Sequence, residues 1–167
     1  MHTEPLALSA QKVANAAAGL GLSIKIVTFD YSTRTAEDAA AAIGCEVGQI
    51  VKSLVFKAGD SPVIALVSGA NQLDTRKLAD LLDISRKQVT RADANTVRAA
   101  TGFAIGGVPP FGHDTQLIPF IDQDLIRFEQ IWAAAGTPNT VFAITPANLV
   151  RATRGVVADL KVEPQGN

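Results

Sequence analysis

Apolar and polar positions along this chain switch between a helical and an alternating period, and the switches mark its elements. Leu8, Val13, Ala16, Ala17 and Leu20 recur at helical spacing, with Gly19 and Gly21 marking the end of a first helix. Ile24 to Phe29 alternates as a strand, and Asp30-Tyr31-Ser32 follows as a loop. Thr35-Ala36-Glu37-Asp38 fits a capping box, and the alanine-rich helix it opens should stop at Gly44. Ile50 to Phe56 reads as a buried strand, Ala58-Gly59-Asp60-Ser61-Pro62 as a hairpin turn, and Val63 to Val67 as its partner. Leu73, Leu78, Leu81 and Leu82 predict a short helix, Lys87 to Thr90 a short strand, and Asp93 the cap of a helix running to Ala100. Further on, Leu125, Phe128, Ile131 and Trp132 predict a helix ending at Gly136. Val141 to Ile144 predicts a strand, Thr145-Pro146 the start of a last helix, and Val156 to Val162 a closing strand. Met1 to Pro5 and the tail beyond Glu163 are expected to be loose.

Hairpins and helices alternate here without regular βαβ spacing, so the expected class is α+β, a curved, mostly antiparallel mixed sheet with helices around it. At 167 residues the whole chain, 1–167, is expected to be one domain. Composition adds limits: 47% hydrophobic and 19% charged residues describe an ordinary globular protein, and aromatics are scarce at 5%. No segment approaches a membrane span or a signal peptide, and the single Cys45 excludes an intrachain disulfide. A cytoplasmic location with no membrane partner is the expectation. A net charge of −1 argues against a broad nucleic-acid footprint, so an RNA substrate would be held at its tip.

Two stretches carry candidate chemistry. Gly106-Gly107-Val108-Pro109-Pro110-Phe111-Gly112-His113 is too rich in glycine and proline for a helix or strand interior. It is either a tight turn or a loop whose main-chain N–H groups hold an oxyanion or phosphate. Lys52 interrupts the apolar strand and shares a face with Ile50, Leu54 and Phe56; such a lysine either snorkels out or points into a cleft holding an anion. Two histidines, His2 and His113, and one cysteine make a metal site unexpected, and no cofactor is expected either. Gly-x-Ser-x-Gly, Walker and dinucleotide motifs are absent from the sequence. Asn71 and Asp74 read as loop and cap residues.

Taken with Val141-Phe142-Ala143-Ile144-Thr145-Pro146-Ala147-Asn148-Leu149, these two stretches resemble the YbaK/ProX family, freestanding relatives of the prolyl-tRNA synthetase insertion domain. The resemblance runs from about Thr35 to Leu160 and implies that family's barrel-like sheet. It implies a trans-acting deacylase that hydrolyses the ester of mischarged aminoacyl-tRNA. Lys52 would bind phosphate of the terminal nucleotide, Gly106 and Gly107 would cradle the ester, and the substrate's own ribose hydroxyl would assist the water. The partner would be the 3′ acceptor end of a mischarged tRNA, with an aminoacyl-tRNA synthetase as a further candidate. Phe29 or Tyr31 would border the site, and Pro110, Phe111 and His113 would wall an amino-acid pocket suited to alanine, serine or threonine. His113 could equally be a loop histidine bonded to backbone, and Ser53 points to the face opposite Lys52. Some family members carry an acidic or imidazole group where this chain has Asn139 to Phe142, which leaves the amino-acid specificity open. The alternative function is a binding module of the same fold that recognises a nucleotide or acylated ligand without turnover.

Overall fold

Strand β2, Ile50–Ala58, is the axis of the molecule, and its β-branched and aromatic residues suit a strand buried on both faces. A two-residue turn, Gly59-Asp60, with Gly59 left-handed at φ +62°, returns the chain into β3, Ser61–Ser68. The pair runs in register from Val51 opposite Ser68 to Ala58 opposite Ser61. The computed structural model describes residues 6–164, so the expectations for Met1–Pro5, His2 and the last three residues fall outside it.

The other strands are β1 (Ile26–Thr28), β4 (Val89–Arg91), β5 (Phe120–Asp122), β6 (Ile131–Ala134), β7 (Thr140–Ile144) and β8 (Val156–Ala158). They form one mixed sheet in the order β1-β7-β6-β2-β3-β5-β8, with β4 also on β2. The β1–β7, β2–β3, β2–β4 and β6–β7 pairs are antiparallel, whereas β2–β6, β3–β5 and β5–β8 are parallel. The helices are α1 (Leu8–Gly19), α2 (Ala36–Ile43), α3 (Thr75–Leu82), α4 (Ala94–Thr101) and α5 (Pro146–Thr153). Caps fall where short polar side chains open helices: Thr35, Asp74, Asp93 and Thr145 each accept a hydrogen bond from the first turn. Gly44 ends α2 in the left-handed conformation at φ +84°.

The helix expected from Leu125 to Gly136 does not form. A 3₁₀ turn at Gln123–Leu125 is followed by strand β6. Ile131, Ala133 and Ala135 are buried and alternate with half-buried Trp132 and Ala134, a period of two that the small alanines disguised. Pairing on both edges, with β2 and β7, decides the matter, since a buried backbone must place its hydrogen bonds.

One irregularity makes the site. Strand β3 covers one edge of β2 throughout, but the other edge is shared. β6 pairs only at Ile50 and Val51, and β4 only at Phe56–Ala58, extended by the Ala92 N–H donating to the Val55 carbonyl at 3.1 Å. Between them, the Lys52–Leu54 edge carries no partner strand.

Candidate active site

A cavity of about 390 Å³ opens at this gap in the sheet, within the size range of small-ligand sites. Lys52, Ser53 and Leu54 line it from β2, Thr33 to Glu37 and Ala39 from the start of α2, and Ile105, Gly106 and Val108 from the Gly/Pro loop. Arg91 closes it from β4, and Trp132, Ala133 and Ala134 from β6. Its charged lining is Arg34, Lys52 and Arg91 against Glu37 alone, which favours an anion. The lining combines polar Lys52, Ser53 and Arg91 with an apolar cluster of Ala36, Ala39, Ile50 and Trp132.

Lys52 donates from Nζ to the Asn71 carbonyl at 2.5 Å. Burial pulls its pKa below the ordinary lysine value, and Arg91 pulls the same way, while Glu37 and Asp122 push it back up. Ser53 lines the same cavity although its side chain alternates with that of Lys52, because the missing strand leaves the β2 edge open to both. Its Oγ is buried and has no hydrogen-bond partner among the described residues.

The Gly/Pro loop splits the two glycines. Gly106 lines the cavity in a left-handed conformation, φ +94°, which L side chains adopt only with strain. Gly107 is buried and does not line the cavity; its N–H donates to the Ala104 carbonyl at 3.0 Å, and its carbonyl accepts from Gly136 N–H at 2.9 Å. A Cβ on Gly107 would lie 2.9 Å from the backbone of Gly136 and Thr137, so glycine serves close packing there. The Gly107 N–H, expected in the ester cradle with that of Gly106, is thus engaged within its own loop. The N–H groups of Gly106 and Val108 meet no acceptor among the described residues.

The remaining expected site residues lie elsewhere. Phe29 and Tyr31 pack on each other with ring centroids 5.9 Å apart, and Phe29 is tied to Asn139 by hydrogen bonds of 2.9 and 2.8 Å; neither lines the cavity. Pro110, Phe111 and His113 line a separate depression of about 140 Å³ with Leu20 and Ala152. Phe111 is a core residue packed on Phe142, and His113 Nε2 donates to the Pro109 carbonyl at 2.7 Å. Burial, the main cause, lowers the His113 pKa from its usual 6.5. The loop turns after Val108, carrying everything from Pro109 onward away from the cavity, which sequence proximity could not reveal. Conversely, Arg34, Glu37, Arg91, Ile105 and Trp132 line the cavity without having been expected at the site. Only the Arg34–Glu37 stretch had a signal, being adjacent to the Thr35 cap.

The family model of the aminoacyl-tRNA editing domain matches residues 30–152. Proline–tRNA ligase of Thermoanaerobacter sp. (strain X514) is 30% identical over 140 residues, which cover 83% of this chain but 24% of the ligase. EbsC of Enterococcus faecalis, named as a candidate Cys-tRNA(Pro)/Cys-tRNA(Cys) deacylase, is 28% identical over 127 residues, 75% of this chain and 76% of that protein. A solved structure described as a candidate trans-editing enzyme for prolyl tRNA synthetase superposes with a TM-score of 0.90 at 46% identity, covering 95% of this chain and 100% of that one. Fold, cavity and sequence agree: this chain belongs to the aminoacyl-tRNA editing domain family.

Proposed function

We propose that this protein is an aminoacyl-tRNA deacylase, which hydrolyses the ester of a mischarged tRNA whose acylated 3′ end enters the Lys52 cavity. The observation that carries this is the meeting, in one anion-favouring cavity, of Lys52 from β2 and Gly106 from a loop 54 positions later in the chain. In the reaction, water adds to the ester carbonyl, and the tetrahedral oxyanion collapses by expelling the ribose hydroxyl. Lys52 holds a phosphate of the terminal nucleotide, with Arg34 and Arg91 at the same cavity supporting the backbone. The N–H groups of Gly106 and Val108 face the developing oxyanion, the charge whose stabilisation is commonly the largest contribution to acyl-transfer catalysis. No side chain serves as nucleophile.

The acyl group sits against the apolar lining, the cluster of Ala36, Ala39, Ile50 and Trp132. Alanine, serine and threonine are the expected acyl groups, and the name of the Enterococcus faecalis relative supports adding cysteine. One methylene is worth only about 1–3 kcal/mol in such a pocket, so neighbours in size are cleared too. The ligase relatives support prolyl-tRNA synthetase as the source of the mischarged tRNA. The test is amino-acid release from a panel of tRNAs carrying alanine, serine, threonine, cysteine, proline or phenylalanine. Release from small-residue esters ahead of phenylalanyl esters is expected. Tight binding without release from any of them would refute catalysis and favour a binding module.

A further inference from the structure

We propose that Asn71 and Asp122 form a clamp that sets the position of the Lys52 ammonium, an inference that rests on Lys52 being the phosphate anchor. Lysine is a point charge on a flexible four-carbon stem, so an anchor built on it needs something to hold it. The Asn71 carbonyl does so, taking one of the three ammonium protons at 2.5 Å and leaving two for the cavity. That carbonyl is fixed in turn. The Asn71 N–H donates to the Ser68 carbonyl at 2.9 Å, and its side-chain Nδ2 donates to Asp122 Oδ2 and Asp124 Oδ2, each at 2.8 Å.

Asp122 is the foundation. It is fully buried, and the parallel register of β3 with β5, Leu66 beside Ile121, brings it to Ser68 at the end of β3. It accepts from Ser68 N–H at 3.0 Å and from Asp124 N–H at 2.9 Å, as well as from Asn71. Among the described residues it forms no ion pair, whereas Asp124 is paired with Lys161 at 3.2 Å. A buried carboxylate is costly unless its charge is compensated. Lys52, reached through Asn71, supplies positive charge toward it, and Asp122, after Glu37, opposes the burial that lowers the Lys52 pKa. The other charged groups facing Lys52 are Glu37 from α2 and Arg91 from β4, with Arg34 in the same cavity wall. Asn71 and Asp122 thus act on substrate through Lys52, as positioning residues.

The test is a double-mutant cycle in single-turnover hydrolysis of a mischarged tRNA, combined with amine labelling of Lys52 read by mass spectrometry. Asn71→Ala should raise the half-saturating enzyme concentration several-fold and change the limiting rate less than twofold. In a Lys52→Ala background it should change neither, since contacting residues that act as a unit are not additive. Asn71→Ala and Asp122→Asn should each speed Lys52 labelling at fixed pH, because more of the amine is then neutral. Should Asp122→Asn fail to fold, Asn71→Ala and the milder Asp124→Asn carry the test. Additive losses in the Lys52→Ala background, with Lys52 labelling unchanged, would overturn the clamp. Absence of hydrolysis by the unmodified protein would instead refute the proposed function, and the labelling would still decide the clamp.

Discussion

Gly107→Ala distinguishes a packing glycine from a catalytic one. The added Cβ would lie 2.9 Å from Gly136 C and O and from Thr137 Cα, all backbone atoms that cannot rotate away. Relief requires the turn between β6 and β7 to move by some tenths of an ångström, an overpacking cost of about 1–3 kcal/mol. That movement also strains the 2.9 Å hydrogen bond from Gly136 N–H to the Gly107 carbonyl, worth about 0.5–1.5 kcal/mol. A total of about 1.5–4.5 kcal/mol follows. At roughly 2–4 °C per kcal/mol for a chain of this size, Tm should fall by about 3–18 °C. Thermal unfolding followed by circular dichroism, beside single-turnover hydrolysis at 20 °C, measures both sides. Gly106→Ala is the comparison: its Cβ meets only Arg34 side-chain atoms at 3.4 Å or beyond, so any Tm loss there comes from its left-handed φ of +94° and not from a backbone clash. An unchanged Tm together with a hundredfold loss of hydrolysis in Gly107→Ala would refute the reasoning and return Gly107 to the oxyanion site.

Three further outcomes follow from the placement of the side chains. Burial lowers the His113 pKa in the folded protein, so the unfolded chain takes up the proton first as pH falls below about 6.5. Stability should therefore drop between pH 7 and 5, and His113→Gln should flatten that slope in urea titrations; an equal slope in both proteins would contradict it. Tyr31→Ala removes a side chain 59% exposed and off the cavity, so kcat/KM should stay within twofold, and a tenfold loss would place Tyr31 at the site. No group of three or more potential metal ligands occurs among the described residues. Hydrolysis should thus withstand EDTA once magnesium for tRNA folding is restored, and a requirement for added zinc would contradict this.

Much of this architecture was legible because local chemistry and tertiary packing agree. Thr35, Asp93 and Thr145 announce their helices with the same hydrogen bonds the structure shows, and Gly44 ends α2 as its left-handed φ requires. The meeting of Lys52 and Gly106 was legible only through the family pattern, since nothing local links positions so far apart. Three features were hidden. In β6, alanine suits helix and strand alike, so the spacing of Leu125, Phe128, Ile131 and Trp132 pointed the wrong way until pairing with β2 and β7 settled it. Along the Gly/Pro loop, neighbours in sequence separate in space: Gly106 and Val108 reach the cavity, while Phe111 turns into the core and His113 onto Pro109. The open edge of β2 depends on where two distant strands stop, which no local pattern encodes.

Lys52 carries the central claim, and single-turnover hydrolysis of a mischarged tRNA by the unmodified protein and by Lys52→Ala, over a range of enzyme concentrations, tests it most directly. A charge-assisted contact of this kind is worth about 1.5–3 kcal/mol, which converts to roughly a 10- to 150-fold rise in the half-saturating concentration. The limiting rate should change far less, and the salt dependence of capture should weaken by the share of one phosphate, a slope of about 0.7 in the logarithms. Equal half-saturation and equal salt slope in the two proteins would contradict the account.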